Sequence, residues 1–186
     1  MKISTEEKIL KTSLDINRKM REKTDKYPRK FIGALAIELI IKELKKEGFN
    51  LSNRDVFIFG SHNELDLVVL KKKQRARENL LYYPDQVFAV FEIKFNGIFT
   101  KNDISRVKKA FRSIKKLDKR IKCLYLAISE NSNFVYYREE KKLGDKSFFL
   151  FLRNGSLEDA IKRGRIHKTD DWNRLVKILS KVNDVQ

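Results

Sequence analysis

The sequence predicts a single domain of mixed α/β (α+β) class. Segments with helical spacing of apolar residues and segments of β-rich composition follow in the order helix, helix, three strands, helix, strand, strand, helix. The 186 residues suffice for one core and are short for two. No internal repeat, low-complexity tract or Pro/Gly-rich linker divides them.

The first helix is expected over residues 4–24. Ser4 and Glu7 stand there at capping-box spacing, and Ile9, Ser13, Ile16 and Met20 share one stripe. After Tyr27-Pro28 a second helix runs from Arg29 to Lys46 and stops at Gly48. "DVFIF" and "ELDLVVL" have strand composition and are separated by the turn signal "GSHN". The polar, basic stretch "KKKQRARENLLYYPD" reads as an exposed excursion. "QVFAVFEIKF" is nearly continuous in apolar residues, as in a central strand covered on both faces. "TKNDISRVKKAFRSIKKLDKR" sets Ile104, Val107, Phe111, Ile114 and Leu117 on one stripe and lysines and arginines elsewhere, giving a helix with a basic outer surface. "KCLYLAI" and "SFFLFL" are two further strands, and "DDWNRLVKILSKV" is a final amphipathic helix.

Lys and Arg number 42 against 25 Asp and Glu, a formal charge of +17, which favours a polyanionic partner. Nucleic acid leads, ahead of an anionic membrane surface. Cys123 is the only cysteine, so an intramolecular disulfide and a cysteine-based zinc site are excluded, and a reducing, cytoplasmic setting is expected. The N-terminus has no signal-peptide core, and "FIGALAIELII" is too short to span a bilayer, so a soluble protein is expected. Two well-separated histidines argue against a histidine-based zinc hydrolase, and no Gly-rich phosphate loop is present.

Glu-x-Lys recurs by chance in a chain this charged. Glu92-Ile93-Lys94 differs because it ends an apolar strand, where a charge is excluded unless it is paired, hydrogen-bonded or metal-bound. Residues i and i+2 of a strand share a face, so the Glu92 carboxylate and the Lys94 ammonium project together. A second carboxylate on the same divalent cation must approach the ion to within roughly 2–2.5 Å. Asp85, in "YYPDQ", lies seven residues earlier on what should be the same strand, about 23 Å away and on the opposite face. Its Pro-Asp reads as strand-entry punctuation. Asp66, in "NELDLVVL", belongs to the preceding strand, which can pair antiparallel with the Glu92 strand and bring the two acids together. Glu64 shares its face and is the local competitor. Glu38 is the only charged residue between Phe31 and Ile41, so a semi-buried position is expected, and with it a partner: a metal ion, or a buried Lys or Arg.

Glu38 on a helix, "ELD" on one strand, "FEIK" on the next and a helix within about ten residues together resemble the core of the PD-(D/E)XK nuclease superfamily. "NELDLVVL" followed by "VFEIK" is particularly similar to archaeal Holliday-junction resolvases and restriction-like nucleases. The resemblance spans roughly residues 29–128, with the helix over 4–24 and residues 129–186 as elaborations. Leu65 stands where the motif's name has proline. The fold it implies is restriction-endonuclease-like, a central mixed β-sheet flanked by helices.

By residue, the resemblance implies that Asp66 and Glu92 ligate Mg2+ or Mn2+, with the Ile93 carbonyl as a further ligand. Lys94 would orient the attacking water, and Glu38 would be an additional ligand or would hold a water. The implied activity is DNA hydrolysis, most simply by an endonuclease. Lys71, Lys72, Lys73, Arg75 and Arg77 on one side, and Lys101, Arg106, Lys108, Lys109 and Arg112 on the other, would bind phosphates. His62 would touch phosphate or support the ligands, although a polar turn residue is its plainer reading. Tyr82 and Tyr83 are available to stack on an unpaired base or to pack beneath the excursion. DNA, duplex or branched, is the expected partner, and RNA is not separated from it. Related resolvases and restriction enzymes often work in pairs, which leaves room for a homodimer. The alternatives are a catalytically inactive nucleic-acid-binding module with the same fold, and a basic structural protein in which Glu92 and Lys94 form only a buried salt bridge.

Overall fold

The computed structural model describes residues 29–71, 80–95, 101–129, 147–151 and 170–184. The helix expected over 4–24 lies outside them. Helix α1 (Arg29–Lys46) ends on Gly48 at φ +83°, where the Gly48 N–H reaches the Lys45 carbonyl and the Phe49 N–H the Leu44 carbonyl. Those two bonds satisfy carbonyls that the helix end would leave open, in a geometry that favours glycine.

Among the described residues the main sheet has four strands: β2 (Leu67–Leu70), β4 (Val87–Phe95), β5 (Lys122–Ser129) and β6 (Ser147–Phe151), in the order β2-β4-β5-β6. β2 runs antiparallel to β4, and β5 and β6 follow parallel. Helix α2 (Lys101–Leu117) makes the crossover from β4 to β5. Helix α3 (Asp170–Ser180) packs on β6 and continues into a 3-10 turn, Lys181–Asp184.

Strand alternation divides the core in two. Ala89, Phe91 and Ile93 of β4 join Leu67 and Val69 of β2 in a cluster with Ile40 and Leu44 of α1 and Trp172, Leu175 and Leu179 of α3. Val90 joins Val68 and Leu70 in the other cluster, with Ile104, Val107, Phe111 and Ile114 of α2. The helices therefore cover opposite faces of the sheet, and each presents an apolar stripe at three- and four-residue spacing. The even-numbered residues of β4 that follow Val90 are Glu92 and Lys94, so both charges emerge on the α2 face.

The strand expected in "DVFIF" is β1 (Phe57–Ile58), which pairs in parallel with β3 (Leu81–Tyr82) as a separate two-stranded ribbon. Two expectations need correction. The end of the supposed exposed excursion is a strand, because Tyr82 and its ribbon partner Ile58 are both buried in the α2-side cluster. Asp85 is not on the Glu92 strand. It sits in a 3-10 turn, Pro84–Gln86, just before β4, where the Gln86 side chain accepts the Tyr83 N–H at 2.9 Å.

A bridge between Val56 and Leu65 closes the hairpin over residues 56–65. Its tip is a turn in which the Ser61 N–H reaches the Ile58 carbonyl at 2.8 Å and Gly60 takes φ +86°. A Cβ on Gly60 would stand 3.0 Å from the Leu117 side chain, so both the turn and its seating on α2 call for glycine.

Candidate functional site

The β2–β4 register builds the site. Leu67 pairs with Phe91, so the next step outward sets Asp66 across from Glu92. β2 has ended at that step, and the Asp66 carboxylate substitutes for the missing backbone acceptor: its Oδ2 takes the Ile93 N–H at 2.5 Å. Lys94 lies two residues beyond Glu92 on the same face, with Nζ 2.6 Å from Glu92 Oε1. The three side chains open into a cleft of about 440 Å³ between the end of β2, the hairpin and the first turns of α2.

Burial pushes the Asp66 carboxyl up to about 6, and the charge of Glu92 pushes the same way; the Ile93 N–H and the Lys94 ammonium oppose them. Burial acts to lower Lys94, but the hydrogen bond and charge of Glu92, with the charge of Asp66, outweigh it and hold the amine above its usual value. The site is thus two facing acids, one of them desolvated, with a single ammonium against the other.

That donor set fits a hard divalent cation. Two carboxylates forced together out of water repel each other, and a cation between them would relieve both desolvation and repulsion. Among the described residues no group of three His, Cys, Asp or Glu side chains is placed to hold a metal ion. A cation here would rest on the two acids together with backbone oxygen and water.

The other candidates divide. His62 and Glu64 are exposed and line the cleft from the hairpin. Arg106 and Lys109 line it from α2, whereas Lys108 and Arg112 do not, and Lys101 begins the helix. Lys71 follows the far end of β2, about 17 Å along the strand from Asp66. Its N–H bonds the Gln86 carbonyl there, at the strand end remote from the cleft. Lys72, Lys73, Arg75 and Arg77 lie outside the described residues.

Glu38 departs from expectation. Its side chain is 47% exposed and pairs with Arg54, Nε to Oε1 at 3.2 Å, and it does not line the cleft. α1 packs on the sheet face opposite the one that carries Glu92, which separates the helix from the two acids. The buried acid of α1 is Glu43, paired with Lys46 at 2.6 Å.

Asp103, not among the residues expected at the site, lines the cleft from the first turn of α2, 3.8 Å from Arg106. The available signal was an acid at position i beside an arginine at i+3, in the turn that follows the Glu-x-Lys strand.

No family profile and no curated protein matches the chain. Solved structures do: NucC from E. coli MS115-1 and NucC from P. aeruginosa ATCC27853, both in cAAA-bound form. Each superposes with a TM-score of 0.51, over 99% of this chain and 92% of its own, at 11% and 12% identity respectively. With its mixed sheet between helices, the chain has a restriction-endonuclease-like fold. Among the described residues no helix is long and apolar enough to cross a membrane.

Proposed function

We propose that the protein is a metal-dependent nuclease that hydrolyses DNA phosphodiester bonds. The observation that carries this reading is the facing pair Asp66 and Glu92, with Lys94 bonded to Glu92, at the floor of a cleft whose α2 wall bears Arg106 and Lys109. The fold shared with the NucC structures is consistent with it.

Asp66 and Glu92, with the Ile93 carbonyl that the superfamily resemblance adds, would hold Mg2+ or Mn2+. The chemistry supplied there is Lewis-acid: neutralisation of a crowded phosphate and acidification of water near neutral pH. The remaining work falls to the chain's own side chains. Lys94 stays protonated and places a compact positive charge where the phosphate gains negative charge in the transition state. The Ile93 N–H fixes the Asp66 carboxylate, so that it needs no reorientation during reaction. Arg106 and Lys109 contact flanking phosphates, which gives affinity with steep salt dependence and little sequence information.

Cleavage of supercoiled plasmid and of a labelled four-way junction tests the reading. Cutting is expected with Mg2+ or Mn2+ and none in EDTA, and Asp85→Ala should cut at the wild-type rate because its side chain belongs to the turn before β4. A protein that binds these substrates and never cuts with any divalent metal would instead be the non-catalytic binding module. The close Glu92–Lys94 ion pair also suits that module.

A further inference from the structure

Four large apolar side chains among the described residues are notably exposed: Phe57 at 38%, Phe59 at 56%, Leu80 at 54% and Tyr83 at 36%. All belong to the β1/β3 ribbon or its immediate ends. The ribbon's inner face is Ile58 paired with Tyr82, both buried. Alternation puts Phe57 and Phe59 on the outer face, and there the Phe59 and Tyr83 rings meet with centroids 5.2 Å apart and planes 31° from parallel.

The ribbon is physically continuous with the cleft. Phe57 and Phe59 lie in the same hairpin, residues 56–65, as His62 and Glu64, which line the cleft. Phe59 is three residues from His62, no more than about 11 Å of chain, and the tight turn at Ile58–Ser61 fixes that separation. The hairpin's return strand then runs directly into Asp66.

Size and charge indicate what covers this face. Four side chains of about 150–250 Å² each, exposed to this degree, present roughly 350 Å², far below the roughly 800 Å² per partner of a stable protein interface. Its flat aromatic part, Phe57, Phe59 and Tyr83, exposes roughly 250 Å² and matches one or two nucleobases. Beside it lies a cleft with Lys94, Arg106 and Lys109, on a chain of charge +17, which would draw in the phosphates of the same strand.

We propose that Phe59 and Tyr83, flanked by Phe57, form a stacking platform for an unpaired nucleobase of the DNA strand whose phosphate enters the Asp66–Glu92 cleft. The substrate class is then DNA with unpaired nucleotides beside the scissile bond, such as a flap, an overhang or a single strand. A base inside a duplex is stacked on both sides and has no free face to offer the ribbon. The proposal rests on the nuclease reading for the position of the scissile phosphate, while base stacking is measurable without cleavage.

The test is binding in EDTA, followed by fluorescence of single-stranded, flapped and blunt duplex oligonucleotides carrying 2-aminopurine at successive positions. On the wild type, quenching is expected at one or two adjacent unpaired positions. Phe59→Ala and Tyr83→Ala should each weaken single-strand and flap binding about tenfold and leave blunt duplex binding unchanged. Phe59→Leu keeps the apolar bulk without the π face and should behave like Phe59→Ala, whereas Phe59→Trp should restore binding, a comparison that separates stacking from damage to the fold. Equal single-strand affinity in all variants overturns the proposal, as does equal loss on blunt duplex, no single-strand binding by the wild type, or a change confined to the sedimenting mass, which would make the ribbon a self-association surface. Stacking by a protein that never cuts would sink the nuclease reading alone; cutting without these differences would sink the platform alone.

Discussion

Lys94→Met is expected to lower Mg2+-dependent cleavage by about 100- to 1,000-fold under single-turnover conditions. The variant loses the ammonium 2.6 Å from Glu92, which the two neighbouring acids keep protonated through neutral pH, and keeps the length of the side chain. Lys94→Arg retains charge but replaces a compact point charge with a planar fork, so partial activity is expected, about tenfold below wild type. DNA affinity should fall little in either variant, because one phosphate contact changes the salt slope by only about one. Both side chains of the pair are partly exposed, at 40% and 21%, so the thermal midpoint should move little. Wild-type cleavage by Lys94→Met would reduce Lys94 to a structural partner of Glu92.

Asp66→Asn is expected to abolish cleavage and, at the same time, to stabilise the metal-free protein by about 2–3 kcal/mol at pH 7.5. The carboxyl is raised from 3.8 to about 6 by burial and by Glu92, so its ionised form is disfavoured in the folded protein. Below pH 3.8 the group is protonated in folded and unfolded chains alike and contributes nothing. Between 3.8 and 6 the folded protein holds a proton that the unfolded chain has released, and wild-type stability declines as pH rises. Above 6 the full penalty is present. Asparagine removes the charge and keeps an acceptor for the Ile93 N–H, so its advantage should be absent near pH 3.5, grow through pH 4–6 and level off above 6.5. Urea unfolding in EDTA across that range measures it. Added Mg2+ should raise the wild-type midpoint and leave the variant's almost unchanged. A variant less stable than wild type at pH 7.5 would mean that the carboxylate is already compensated within the fold.

Strand parity made much of the site legible in the sequence. An apolar run ending in Glu92-Ile93-Lys94, with Asp66 on a strand able to pair against it, required only a period of two and a 4.8 Å strand spacing, and the register sets those two acids opposite each other. The same period turned attention away from Asp85, though its place in a 3-10 turn was not foreseen. Glu38 was harder to place because its immediate neighbours are apolar. Helical spacing held the answer: Glu38, Lys42 and Lys45 recur at four and three residues and mark the outward side of α1, whereas Glu43 lies among buried Leu39, Ile40 and Leu44. β1 was legible as the strand in "DVFIF", but β3 and its pairing were not, because a strand of two residues carries no periodicity and this pairing joins Phe57 to Leu81 across a stretch of chain that includes β2. Asp103 was hidden by its own helix, in which one acid among many bases reads as part of a solvated surface.

The bond from the Ile93 amide to Asp66 gives the site a spectroscopic voice. In most strand pairs an amide at that position would be held by a neighbouring carbonyl and would be blind to ionisation. Here its acceptor is the titrating group itself, so the nitrogen and proton resonances of a single backbone amide register the protonation of Asp66 and the arrival of any cation beside it. Occupancy of the two acids can thus be followed by NMR one amide at a time, in a protein of 22.1 kDa, with no substrate present and no turnover to wait for.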